Sequence, residues 1–463
     1  MAHPAEDRDE AALAVAHERA LAWRQGLEER PIAPRAGADA VKDALGRALP
    51  DDGEPAGAVV ARLADAAEPG IMAMGSPRFY GWVIGGAQPA ALGADWLVST
   101  WDQNTAMRAA TPGVVAAEEL AGEWILDLLG LPATADVGFV TGATMANFTG
   151  LVAARDAVLA RTGWSTAVDG LAGAPRIRLF VGAERHDTVD HAARMAGLGA
   201  PIVVPADDQG RILPAALGEA LSAGTAPAIV VLQAGNLHSG AFDPLAEAIA
   251  LAHAVGAWVH VDGAFGLWAA ASPRTRHLVE GLSEADSWAT DAHKTLSVPY
   301  DCGVAIVADA RALRSSMGMT AAYLASVASA EHSDPHDRVP ELSRRARGVP
   351  TWAALRTMGR SGTVALVDRL ADSAARIAVG LGQLPGVDVL NDVVFTQVCA
   401  ALGTDERTDA WAEALRAEGE AYASSSRWHD RSVLRFSVSN WATDEHEVAR
   451  TLAAAARALP GVS

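Results

Sequence analysis

Ala257-Trp258-Val259-His260-Val261-Asp262 reads as a strand: its period of two puts Trp258, His260 and Asp262 on one face, with the acid at the carboxyl end. A lone aspartate at a strand end is ordinarily a turn or cap residue. Asp262 is set apart by a second segment, Asp291-Ala292-His293-Lys294, where a lysine stands among apolar neighbours directly after a histidine. The length between them leaves room for a helix and a strand, so the amine is expected at the same sheet edge as the acid.

Outward from this strand the chain repeats one alternation. Short β-branched runs at 137–141, 177–181, 202–204, 229–232 and 304–307 are separated by helical stretches that include 145–160 and 244–255. This predicts βαβ units, and so an α/β fold with a mostly parallel central sheet covered by helices. Residues 1–75 read as an N-terminal helical arm broken at Pro31, Pro34 and Pro50, and residues 76–340 as a large domain. Residues 341–463, with strands expected at 392–401 and 433–438, read as a small C-terminal α/β domain. The polar stretch at 331–340 is the expected mobile loop.

Composition bounds the chemistry. At 463 residues and 50% hydrophobic, the chain can bury large cores. Its formal net charge of -19 argues against nucleic acid or an anionic membrane as a partner and leaves small molecules. Two cysteines, Cys302 and Cys399, make neither a disulfide framework nor a metal cluster, and no apolar run is long enough to span a bilayer. The acidic N-terminus lacks a leader pattern, so a cytoplasmic location is expected. Without H-E-x-x-H, C-x-x-C, G-x-S-x-G, G-x-G-x-x-G or a P-loop, metal and serine hydrolysis, dinucleotide chemistry and nucleotide hydrolysis fall away.

Of 37 basic residues only Lys42 and Lys294 are lysines. A chain that uses guanidinium for ordinary cation duty keeps an amine where arginine fails, because only the amine sheds its proton and attacks a carbonyl. Lys42 lies in an amphipathic pattern and reads as solvated; Lys294 reads as the nucleophile. A carboxylate opposite such an amine is the pair pyridoxal phosphate requires: the lysine attaches the cofactor, and the acid keeps the pyridine nitrogen protonated. Gly142-Ala143-Thr144, between a strand and a helix, would offer backbone N–H groups and a helix dipole to the phosphate.

Gly142-Ala143-Thr144, His186, His260-Val261-Asp262-Gly263-Ala264 and Asp291-Ala292-His293-Lys294 follow the order and spacing of the pyridoxal-phosphate-dependent group II amino-acid decarboxylases. The chain resembles this family, which includes aromatic amino-acid and glutamate decarboxylases, from about Phe79 onward. The resemblance implies a fold-type I, aminotransferase-like homodimer that decarboxylates an L-amino acid to its amine. It also implies residue roles. Lys294 would carry the cofactor, Asp262 face the pyridine nitrogen, Ala264 pack under the ring, and His186 stack on it within reach of the substrate carboxylate. Gly142, Ala143 and Thr144 would hold the phosphate, with Asp291 and His293 completing the set and Asn236 touching the ring or its hydroxyl.

One position departs from the family pattern. Where the family has a loop tyrosine that returns a proton to Cα, alignment back from Arg344-Arg345 puts Pro335 or His336. His332, His336 and Tyr323 are candidate replacements. Loss of the tyrosine in the family goes with oxygen-dependent decarboxylation-deamination to an aldehyde. A Cα-bond cleavage such as an aldolase's, or a non-catalytic cofactor-binding scaffold, is also compatible with these residues. Phe79, Tyr80, Trp82 and Trp101 align with segments that line the family's substrate pocket, usually from both subunits of a dimer, and favour an apolar or aromatic side chain. Core packing explains the same aromatics equally well, and Arg78 leaves an acidic substrate open.

Overall fold

The structure, a computed structural model, describes residues 8–319 and 333–459. Strands are numbered in chain order: β1 (Phe79–Tyr80), β2 (Asp136–Val140), β3 (Arg178–Gly182), β4 (Ile202–Val204), β5 (Ala228–Gln233) and β6 (Trp258–Asp262). They continue as β7 (Ser287–Asp291), β8 (Gly303–Val307), β9 (Val387–Val389), β10 (Gln397–Leu402), β11 (Tyr422–Trp428) and β12 (Arg431–Ser437). The central sheet has seven strands in the order β2-β8-β7-β6-β5-β3-β4. Its β3, β4, β5, β6 and β7 pair in parallel, and β8 runs antiparallel to both neighbours. The fold is therefore α/β with a mostly parallel sheet, as the alternation predicts.

β7 is the strand that the hydrophobic pattern misses, because Ser287 and Thr290 interrupt it. Both are buried yet satisfied: Ser287 Oγ meets His260 Nδ1 at 2.8 Å and Trp258 Nε1 at 2.9 Å, and Thr290 Oγ1 donates to the Ala264 carbonyl. The helix expected between Asp262 and Lys294 is replaced by three 3₁₀ turns, at Gly266–Ala271, Arg276–Val279 and Leu282–Glu284. A chain rich in Ala and Gly packs tightly here without a regular helix.

A second sheet runs β1-β11-β12-β10-β9. It takes in Phe79 and Tyr80, so the start of the expected large domain is built into the C-terminal layer. β11 is a further strand that the pattern hides, since Ser424-Ser425-Ser426 reads as loop. The core of this layer centres on Leu370, Ile377, Trp411, Leu434 and Phe436. The long helix Gly348–Gly382 links the two layers and is broken at Gly359, whose φ of 61° and ψ of -174° favour glycine. The arm comprises helices Arg8–Gln25, Ala38–Leu45 and Ala56–Ala67. Among the described residues no helix is long and apolar enough to cross a membrane.

Candidate active site

The carboxyl ends of β2, β5, β6 and β7 converge on a cavity of about 260 Å³. Register explains the convergence: Gln233 at the end of β5 lies beside Asp262 at the end of β6, which lies beside Ala289 in β7. The lining includes Gly142, Ala143, Thr144, His186, Asp262, Ala264, Asp291, His293 and Lys294, so the strand-end acid and the isolated lysine do meet in one site. Lys42, by contrast, lies exposed beside Asp39.

Each group is held by its local structure. Asp262 is 5% exposed, and Oδ1 accepts the Ala264 N–H at 3.3 Å. Burial pushes its carboxyl above the usual range, while the nearby His186, Lys294 and Asn147 amide act in the opposite direction. His186 caps the helix Asp187–Met195: its Nδ1 accepts the Thr188 N–H at 3.2 Å, which puts the ring proton on Nε2. Behind Asp262, His260 is fully buried between Ser287 and Asn147, and burial lowers its pKa to about 3, so it is a neutral framework residue. Lys294 Nζ lies 2.9 Å from Asp291 Oδ2.

The turn around Lys294 depends on a glycine. The Gly85 N–H reaches the His293 carbonyl and the Gln88 N–H the Ser297 carbonyl, and a Cβ on Gly85 would lie 1.8 Å from the Lys294 carbonyl oxygen. Gly85→Val must therefore displace the lysine's own backbone. We expect a loss of roughly 1–3 kcal/mol in stability, read by thermal melting, together with diminished cofactor absorbance.

Several expected residues lie elsewhere. Asn236 turns away from the cavity: its Oδ1 accepts the His238 and Ser239 N–H groups, and its Nδ2 donates to Glu184 Oε2 at 3.2 Å. Gly235 and Leu237 line the cavity in its place. Asn236→Ala should cost roughly 1–3 kcal/mol of stability yet leave cofactor absorbance intact. Phe79 stacks on Tyr422, and Tyr80 is a core residue whose hydroxyl meets Thr451. Trp82 and Trp101 are exposed, and none of these four aromatics lines the cavity. Pro335 and His336 are buried in a 3₁₀ turn, with the His336 N–H on the Ala106 carbonyl, so residues 333–340 are packed instead of forming the expected loose loop. His332 and Tyr323 lie outside the described residues. Val83, Thr188, Gln233 and Phe265, which no sequence motif singles out, complete the wall.

The residues present fit pyridoxal phosphate. Asp262 is a buried carboxylate with too little compensating charge, which a protonated pyridine nitrogen would supply. The start of the helix Ala143–Ala160 at the cavity edge offers N–H groups to a phosphate. Lys294 would be the amine for covalent attachment, and His186 and Ala264, which line the same cavity, would lie against the ring. Bound there, the cofactor supplies an electron sink for the bond broken at Cα.

Comparison with known proteins agrees. The pyridoxal-dependent decarboxylase conserved domain matches residues 39–402. Tryptophan decarboxylase 1 of Oryza sativa subsp. japonica is 29% identical, over 92% of this chain and 88% of its own. The 4-hydroxyphenylacetaldehyde synthase of Rhodiola rosea is 26% identical, over 92% of this chain and 90% of its own. The crystal structure of Oryza sativa TDC with PLP and tryptamine superposes with a TM-score of 0.90 at 26% identity, covering 99% of each chain. Sharing that domain over most of its length and that fold from end to end, the chain belongs to the pyridoxal-dependent decarboxylase family, lyases that use pyridoxal phosphate to break a carbon–carbon bond of an amino acid.

Proposed function

We infer that the protein converts an L-amino acid with an apolar or aromatic side chain to the corresponding amine, working as a cytoplasmic homodimer. The observation that carries the substrate class is the cavity wall: Val83, Leu237, Ala264 and Phe265 are apolar, and no arginine is among the described lining residues. Arg78, the cation that left an acidic substrate open, is 1% exposed and bound to Glu447 and to the Glu28 and Glu420 carbonyls. Arg435 donates to the Leu237 and Trp82 carbonyls and pairs with no acid among the described residues, which leaves its charge to attract a substrate carboxylate. Relatives named for tryptophan and aromatic L-amino acids support the same class. The exposed Trp96, Leu97 and Trp101 along one helix support a second copy as partner.

A second reading is oxygen-dependent conversion to an aldehyde. It is favoured by Pro335 or His336 standing at the place of the family's loop tyrosine. A panel of L-amino acids assayed for CO₂, amine, aldehyde and H₂O₂ tests both. Tryptophan, tyrosine or phenylalanine should be consumed fastest; preference for glutamate or aspartate would overturn the substrate class, and aldehyde with H₂O₂ in step with CO₂ would replace the amine reading.

A further inference from the structure

Asp291 is the acid that the cofactor chemistry leaves over. Asp262 would serve the ring nitrogen, whereas Asp291 ends β7 at 2% exposure. Its Oδ2 lies 2.9 Å from Lys294 Nζ and 3.5 Å from His293 Nε2, and its Oδ1 has no hydrogen-bond partner among the described residues. A Cβ placed on Gly142 would lie 3.6 Å from that Oδ1, so the carboxylate abuts the turn that cups the phosphate. Membership of the cofactor set, which the family resemblance implies for Asp291, gives it no task.

The surrounding groups leave Lys294 as its counter-charge. His293 Nδ1 accepts the Cys302 N–H at 3.1 Å, which puts the ring proton on Nε2, and burial holds its pKa below the usual value. The histidine can donate to Asp291 but is neutral. Tyr300 stacks on His293, and burial and the Asp291 charge push its phenol up to about 12. Asp301 is tied to Arg347, and the Cys302 thiol is pushed up to about 12 by burial. Asp262 and His186 share the cavity.

Cofactor capture disturbs this pair in two ways. A Lys294 ammonium must lose a proton before its nitrogen can attack an aldehyde. The incoming phosphate, carrying about -1.5 to -2 charge, meets a buried carboxylate. One proton transfer answers both demands. We propose that Asp291 is the proton acceptor in cofactor capture, taking a proton from the Lys294 ammonium as the phosphate enters the Gly142–Thr144 turn.

The step balances. Ammonium and carboxylate become amine and carboxylic acid. The amine lone pair then forms the nitrogen–carbon bond to the cofactor's aldehyde carbon, the carbonyl electrons move to oxygen, and that oxygen leaves as water with the two remaining amine protons. Asp291 is then a neutral hydrogen-bond donor beside the phosphate instead of a second anion.

Stopped-flow capture of pyridoxal 5'-phosphate by the apo-protein, followed by visible absorbance across pH, tests this. Asp291→Asn should slow capture at least about tenfold and make the rate climb with pH, since solvent must then take the proton. In a Lys294→Ala background, where binding is noncovalent, the same substitution should tighten cofactor binding because one anion is gone. These opposite signs separate proton transfer from a structural role, which would weaken both. Capture by Asp291→Asn at the native rate and pH profile, or weaker binding in the Lys294→Ala background, overturns the proposal. The unaltered protein gives a further arm that does not depend on a variant folding: capture of 5'-deoxypyridoxal, which lacks the phosphate, should need higher pH than capture of pyridoxal 5'-phosphate, and coincident profiles overturn the proposal.

Discussion

Lys294→Arg is expected to abolish turnover, with activity falling at least about 10³-fold, and to remove the visible absorbance of the bound cofactor. Arginine keeps the positive charge opposite Asp291, so the ion pair at 2.9 Å can be largely rebuilt and the carboxylate is not stranded. A guanidinium cannot shed a proton to attack an aldehyde near neutral pH, so covalent attachment is lost while charge is retained. The measurement pairs CO₂ release with the absorbance of the dialysed protein. Lys42, the other lysine, is exposed on the N-terminal arm and cannot substitute, so its replacement should leave both signals unchanged. Retention of either signal in Lys294→Arg would show that the amine is not the attachment point.

The parts of this site that are legible in the sequence carry chemistry in their side chains. Lys294 stands out because arginine does nearly all the other cationic work, and Asp262 because a strand ends on it. Gly142-Ala143-Thr144 is visible because a phosphate cup needs a strand–helix turn, and His186 because the family motif singles out that histidine. The misses share another cause. Val83, Leu237 and Phe265 have no reactive group and reach the cavity only because strand-end loops bring them there. The paired glycines Gly85-Gly86 are the one local signal that marks the segment closing on Lys294. Aromatic content misleads in the opposite direction, since a buried Tyr80 with a satisfied hydroxyl and a pocket-lining tyrosine look alike in a string of letters. The strand β7 is hidden for an energetic reason: its polar residues are tolerated only because His260, Trp258 and the Ala264 carbonyl face them.

Asp262→Asn should lower turnover by roughly 10²- to 10³-fold while leaving the fold intact, because it would remove the charge that faces the ring nitrogen without changing side-chain shape. The amide oxygen can still accept the Ala264 N–H, so the end of β6 keeps its cap. What it cannot do is hold a proton on the pyridine nitrogen, and a ring without that proton draws electrons weakly from Cα. Thermal melts across pH give an independent reading. In the apo-protein burial raises the Asp262 pKa above its unfolded value, so the stability from this group is present in acid and is lost as pH rises through the folded value. A cofactor whose protonated ring nitrogen met Asp262 would reverse the loss. The increase in melting temperature on adding pyridoxal phosphate should therefore grow as pH rises above the ordinary carboxylate range in the native protein, and grow less in Asp262→Asn. Equal growth in the two proteins would mean that the carboxylate does not meet the ring nitrogen, and the cofactor's orientation in the cavity would have to be reversed.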